Sequence, residues 1–196
     1  MATRTQKPKA PKAPPSILQL HIELRHLKPK VWRRVLVPET ITLQQLHSVI
    51  QSAFGWSGGH LHEFEAGGER YGTSDPEYDP QGSIGSERTR LTKAMTGSGA
   101  IDYVYDFGDH WQHRIKVEKV LPALPDLKLP LCIAGASATP PDDCGGVPGY
   151  MDFVRTMADP HDPEHQDMKE WISRDSWDPA AFDIDNVNSW LAEIKL

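Results

Sequence analysis

Residues Asp102 to Val117 read DYVYDFGDHWQHRIKV, two aromatic-rich alternating runs joined by a short turn. Tyr103, Tyr105 and Phe107 alternate with smaller or polar residues, and Trp111, His113, Ile115 and Val117 alternate again after the bend. Alternation with a period of two marks a strand with one buried face. The stretch is therefore expected to be a β-hairpin whose bend carries acids and histidines. Gly108 is expected to supply the positive φ of the turn, with Asp109 bonding the turn backbone.

Upstream, Ile17, Leu18, Leu20, Ile22 and Leu24 nearly alternate, so residues 16 to 25 read as a strand, and VWRRVLV at 31 to 37 reads as a second. Leu27-Lys28-Pro29-Lys30 supplies the turn between them, and Pro38 ends the pair. Thr40 or Thr42 then caps a helix whose apolar positions, Leu43, Leu46, Val49, Ile50, Ala53 and Phe54, follow helical spacing up to Gly55. One face of that helix is expected to cover the sheet. His60 to Glu65 reads as a third strand. The long polar stretch from Gly67 to Arg90 reads as a surface flap with a short strand near Arg70 to Gly72.

Downstream, the Pro- and Gly-rich run from Pro122 to Pro148 reads as an ordered loop wrapping the sheet. Helical spacing over Tyr150 to Met157, Pro163 to Ile172 and Asp185 to Leu196 predicts a small helical cap. Trp171, Trp177 and Trp190 in this region read as core anchors. The fold class is α+β, a mainly antiparallel sheet with one covering helix after the first hairpin and that cap.

At 196 residues with 38% hydrophobic content, the chain has the size of one domain with its own core. Residues 1 to 15, MATRTQKPKAPKAPP, carry Arg4, Lys7, Lys9 and Lys12 without an acid, and read as a disordered basic Pro-rich tail ahead of one domain at 16 to 196. Setting those four charges aside takes the formal net of −6 to −10 for the remainder. An acidic body opposes broad non-specific DNA binding. No apolar run of about 18 residues and no signal-peptide core is present, so no membrane partner and a cytoplasmic location are expected. Cys132 and Cys144 are expected to stay thiols in a reducing compartment.

Alternation also assigns faces. If Phe64 points inward so does His62, and if Ile115 and Val117 point inward so do Trp111 and His113. The candidate site is then His62, Glu63, Asp106, Asp109, His110, Trp111 and His113, with His62, His113, Asp106 and Asp109 as ligands for a divalent ion such as zinc. The competing reading has each histidine buried and hydrogen-bonded to Tyr, Asp or backbone. His60 shares a face with His62 on an ideal strand, but Gly58-Gly59 suggests that it lies in a turn. Asp106-Phe107-Gly108 lacks the phosphate loop, strand lysine and His-Arg-Asp loop that would make it a kinase triplet. Cys132 and Cys144 form no CxxC pair, and PPDDCGG at 140 to 146 reads as a rigid turn whose carboxylates bond backbone amides. Trp32-Arg33-Arg34 could offer a guanidinium to phosphate, although an outward Arg paired with a surface carboxylate is the commoner arrangement.

The blocks PKVWRRVLVPETITLQQLHSVIQSAFGW, HLHEF, YDFGDHWQHRI, PPDDCGGVPGY, DPEHQDMKEWI and FDIDNVN occur in that order across about residues 16 to 194. Together they resemble the plasmid pRiA4b ORF-3-like family, whose members are also labelled insertion-element passenger proteins of TnpR type. The resemblance implies an α+β domain with an antiparallel sheet, found in plasmid and mobile-element contexts. His62, Asp106, Asp109, Trp111, His113, Cys132 and Cys144 match the family pattern, whereas Thr139 stands where many relatives carry a further cysteine, which weakens a cysteine-based metal site. The TnpR label suggests a resolvase, but neither a nucleophilic serine beside an arginine on an N-terminal strand nor a helix-turn-helix tail is present.

Three functions are then open. The leading expectation is a non-enzymatic binding or regulatory module whose sheet and flap recognise a protein or nucleic-acid partner. The rival is a metal-dependent hydrolase or nuclease, in which the His/Asp set at the hairpin holds an ion that activates water. The third is a DNA-binding accessory protein of a mobile element.

Overall fold

The computed structural model describes residues 15–72, 84–124 and 126–196. The expected tail, apart from Pro15, and the centre of the expected flap lie outside the described residues. The opening hairpin is β1 (Ile17–Leu24) and β2 (Val31–Pro38), paired antiparallel with Leu20 opposite Val35. Helix α1 (Leu43–Phe54) starts at Thr42, where a capping box with Gln45 satisfies two otherwise free amides. It stops at Gly55, whose φ of 73° permits the left-handed cap that an L side chain resists. The face carrying Leu43, Leu46, Val49, Ile50 and Ala53 is fully buried on the sheet, so Leu46→Ala would cost about 2–5 kcal/mol.

Strands β3 (His62–Ala66), β4 (Glu69–Gly72) and the two-residue β5 (Ile84–Gly85) form one margin of the sheet. A single turn, α2 (Leu91–Ala94), leads into the central hairpin of β6 (Ala100–Tyr105) and β7 (Trp111–Leu121). β8 (Leu131–Ala136) follows, then the helices α3 (Gly146–Ala158), α4 (His165–Ile172) and α5 (Ile184–Leu191). The strands form one sheet in the order β5-β4-β3-β6-β7-β1-β2-β8, antiparallel except for the β4–β5 pair. The α+β class, the antiparallel sheet, the covering helix and the helical cap are as expected.

Several local readings need correction. The run from Pro122 to Pro148 is not all loop, because β8 within it pairs with β2 and extends the sheet. The turn of the central hairpin does not take its positive φ from Gly108. Asp106 at 55° and His110 at 58° adopt it instead. Asp106 also bonds the turn, its Oδ1 accepting from the Gly108 amide at 2.8 Å and the Asp109 amide at 3.3 Å. Phe107 leaves the strand pattern at this bend and is half exposed.

Arg33 points inward, 3% exposed. All its donors are used: Nε to Ala53 O, Nη1 to Trp32 O and Ala136 O, Nη2 to Ser137 O and Thr139 Oγ1. The rings of Phe54 and Phe182 lie against the guanidinium. Burial lowers its pKa to about 10. It therefore ties α1, β2, β8 and the following loop together, and is not presented to phosphate. Arg34 follows the surface expectation, bonding Glu118 with two nitrogens.

Candidate functional site

The face of the sheet away from α1 carries the polar partners of the alternation. Arg34 pairs with Glu118, Arg114 with Asp102, Arg70 with Glu63, and Lys30 with Glu23. Both signs are interleaved here. Among the described residues that arrangement gives no continuous positive stripe for a nucleic-acid backbone.

On the α1 face, His62 and His113 both point inward as expected, but they are not on neighbouring strands. β6 runs between β3 and β7, and both histidines flank Tyr103 on it, with ring centroids 5.9 and 5.3 Å away. The His113 Nδ1 lies 3.1 Å from Trp111 O, and its ring meets Phe54 and Trp56 edge-on. His62 stacks on His47 of α1, centroids 3.6 Å apart. The Tyr103 hydroxyl accepts from Gln51 Nε2 at 2.9 Å and lies 2.8 Å from His47 Nδ1. Burial lowers the pKa of His47 and His113 to about 3 and of His62 to about 4, so all three are neutral. His47 was not among the expected site residues.

The expected ligand set of His62, His113, Asp106 and Asp109 is therefore not assembled. Asp109 turns away and its Oδ2 accepts from the Gly145 amide at 3.2 Å. Glu63 is engaged by Arg70 on the opposite face, and Trp111 is a core ring stacked on Trp56. His110 serves the turn through its backbone, donating its amide to Asp106 O. Among the described residues, one group has metal-ligand spacing: His60, Asp106 and Asp143, with donor atoms within 4.8 Å of one another. His60 Nε2 lies 3.1 Å from Asp143 Oδ1 and 3.8 Å from Asp106 Oδ2. Of these, only Asp106 belonged to the expected ligands.

The segment 138–145 holds this region together. Trp56 Nε1 donates to Pro140 O at 3.0 Å, and Asp142 Oδ2 accepts from the Ser57 amide and hydroxyl at 3.1 and 2.9 Å. That part of the PPDDCGG expectation holds. Cys132 and Cys144 are free thiols. Burial, with Asp109, Asp142 and Asp143 nearby, pushes Cys144 up to about 12, and burial raises Cys132 as well. Neither is poised as a thiolate ligand.

Beside this loop lies a cleft of about 520 Å³, walled by Phe54, Pro141, Trp171, Trp177, Phe182 and Trp190. Trp171 and Trp190 are 45% and 43% exposed, so they are cleft walls more than core anchors. Trp177 does pack against the core, its Nε1 3.4 Å from the Tyr150 hydroxyl. The charged residues on the cleft are Asp142, Arg174 and Asp183, and Asp142 Oδ1 is buried without a hydrogen-bond partner among the described residues.

The fold is α+β, with one mainly antiparallel sheet, an aromatic face covered by α1, and the side chains of His60, Asp106 and Asp143 converging at the end of the central hairpin. The chain belongs to the family of plasmid pRiA4b ORF-3-like proteins, whose model matches residues 16–186. It is 38% identical over 175 residues to the uncharacterised protein y4hQ of Sinorhizobium fredii (strain NBRC 101917 / NGR234), covering 88% of this chain and 89% of that one. It is also similar to the crystal structure of a protein of unknown function, MM3350, from Methanosarcina mazei Go1. The TM-score is 0.79 at 32% identity, over 88% of this chain and 97% of the other.

Proposed function

We propose that the protein is a non-enzymatic binding module that receives an apolar, positively charged segment of a partner protein in the aromatic cleft. The observation that carries this reading is the pair of half-exposed tryptophans, Trp171 and Trp190, on the wall of one cleft. A cleft of about 520 Å³ falls in the range of ligand-receiving pockets. Large aromatic rings at such a wall are the side chains that dominate binding free energy. Asp142 and Asp183 outnumber Arg174 on the cleft, and with a net formal charge of −6 this favours a basic partner. The sheet's open face, with its carboxylates and guanidiniums already paired, is the weaker candidate. No helix among the described residues is long and apolar enough to cross a membrane. The two free thiols support a reducing, cytoplasmic setting for this binding.

Selection of a displayed dodecapeptide library on the full chain tests the reading. Enriched peptides should combine Lys or Arg with aromatic or aliphatic residues, and should lose about tenfold or more in affinity for Trp171→Ala. Asp142→Asn should relax the preference for basic residues. Peptides that bind Trp171→Ala as well as the parent chain, or a library that yields no enrichment, would overturn it.

A further inference from the structure

We propose that His60, Asp106 and Asp143 form a divalent-cation site that fastens three loops together: α1–β3, β6–β7 and β8–α3. The three side chains come from distant parts of the chain and converge to within 4.8 Å. An imidazole nitrogen with two carboxylate oxygens suits a first-row ion such as zinc or manganese.

The division of labour within each carboxylate supports this. Asp106 Oδ1 is committed to the turn amides of Gly108 and Asp109, which aims Oδ2 at His60. The neighbouring Asp109 is diverted to the Gly145 amide, so it does not compete for the site. A single N–H on His60 Nε2 can satisfy Asp143 at 3.1 Å but leaves Asp106 Oδ2 at 3.8 Å, beyond hydrogen-bond reach. A cation among the three atoms satisfies all of them and removes the repulsion between the two carboxylates.

Tyr105 gives a second, independent indication. Its side chain is 0% exposed, its ring meets that of His60 edge-on at 5.7 Å, and its hydroxyl lies beside the His60 backbone, Ser57, Asp106 and Asp142. Its nearest partners are the Ser57 side chain and the His60 backbone, and with neither does it close a hydrogen bond of full geometry among the described residues. A buried hydroxyl without a partner is costly, and a water on a bound cation would supply one. The cation site and the aromatic cleft share a loop but no residue: Asp142 lines the cleft, Asp143 the cation site.

The test uses the untagged full chain, stripped of metal, titrated with Zn²⁺ and with Mn²⁺ by calorimetry and thermal unfolding. One equivalent of one of these ions should bind, and at about a hundredfold excess over Kd the melting temperature should rise by about 5–10 °C. Asp143→Asn and His60→Gln, changes at partly or fully exposed side chains that should leave the fold intact, should each lower affinity by at least tenfold and remove the rise. Co²⁺ should give visible absorption bands that vanish in both variants. The proposal is overturned if neither ion binds saturably with a Kd below about 100 μM, or if binding is unchanged in both variants.

Discussion

His47 of α1 and His62 of β3 stack face to face, their ring centroids 3.6 Å apart and their planes 9° from parallel. Two imidazolium rings could not hold that geometry, because like charges at this distance in a buried setting repel strongly. Burial keeps both rings neutral, and it does the same for His113 on the other side of Tyr103.

An acid sensitivity follows from these three residues. Their folded pKa values of about 3 to 4 lie below the unfolded value of 6.5, so the unfolded chain binds more protons between those limits. Stability is thus fully present above about pH 6.5 and is lost as the pH falls through that window. Each histidine contributes a slope of up to about 1.4 kcal/mol per pH unit, so the three together should remove about 3–4 kcal/mol between pH 7 and 5.5. Guanidinium unfolding at both pH values measures it. His62→Phe, which keeps a ring in place, should reduce the slope by about one proton; a parent chain whose slope corresponds to no proton uptake would contradict the account.

Arg33 should be intolerant of replacement even by lysine. Its planar fork reaches the carbonyls of Ala53, Trp32, Ala136 and Ser137 and the Thr139 hydroxyl at once, which one ammonium cannot do. Arg33→Lys should cost about 2–4 kcal/mol, since each carbonyl left unsatisfied when buried costs about 1–3 kcal/mol. Arg33→Ala should cost more. Chemical denaturation of the two variants decides, and a loss below about 1 kcal/mol for Arg33→Lys would mean that water reaches these carbonyls.

Faces were legible in the sequence, but neighbours were not. Alternation placed His62, Tyr103, Tyr105, Trp111 and His113 on one side of the sheet, because side-chain direction is a local property of a strand. It could not place β3 beside β6, or pair β1 with β7, because those registers join residues far apart in the chain. His47 had a local signal, four residues after Leu43 and three before Ile50, on the helix face read as apolar. β8 had almost none, since LCIAGA sits at a sheet margin among prolines and glycines with half of its residues small. Asp143 meets His60 only through tertiary folding, so its local pattern showed a turn and nothing more.

Gly146 should be irreplaceable by alanine. Its φ is +68°, and a Cβ there would stand 2.4 Å from the carbonyl oxygen of Asp109, a backbone atom held by the hairpin turn. The left-handed conformation alone costs an L residue about 1–2 kcal/mol. Displacing the turn adds to that, so Gly146→Ala should lose about 2 kcal/mol or more in chemical denaturation. Gly97→Ala gives the control, because its φ of +80° carries the same backbone penalty with open space around the new methyl. Equal losses in the two variants would show that the approach of α3 to the hairpin bend contributes nothing.

Cys144 should be nearly inert toward thiol reagents in the folded protein. With its pKa pushed up to about 12, only about one thiol in 10,000 is ionised at pH 8, whereas a free cysteine with a pKa near 8.5 is ionised to roughly a quarter. Cys132 is raised by burial too and is 2% exposed, so it should react no faster. A disulfide-exchange reagent at pH 8 should therefore label the native chain at least about a thousandfold more slowly than the chain in guanidinium, where both thiols regain ordinary acidity. Rapid labelling of one thiol in the native state would mean that the 138–145 segment opens away from Trp56 and Ser57. In that case Trp56→Phe, which removes the hydrogen bond to Pro140, should accelerate it further.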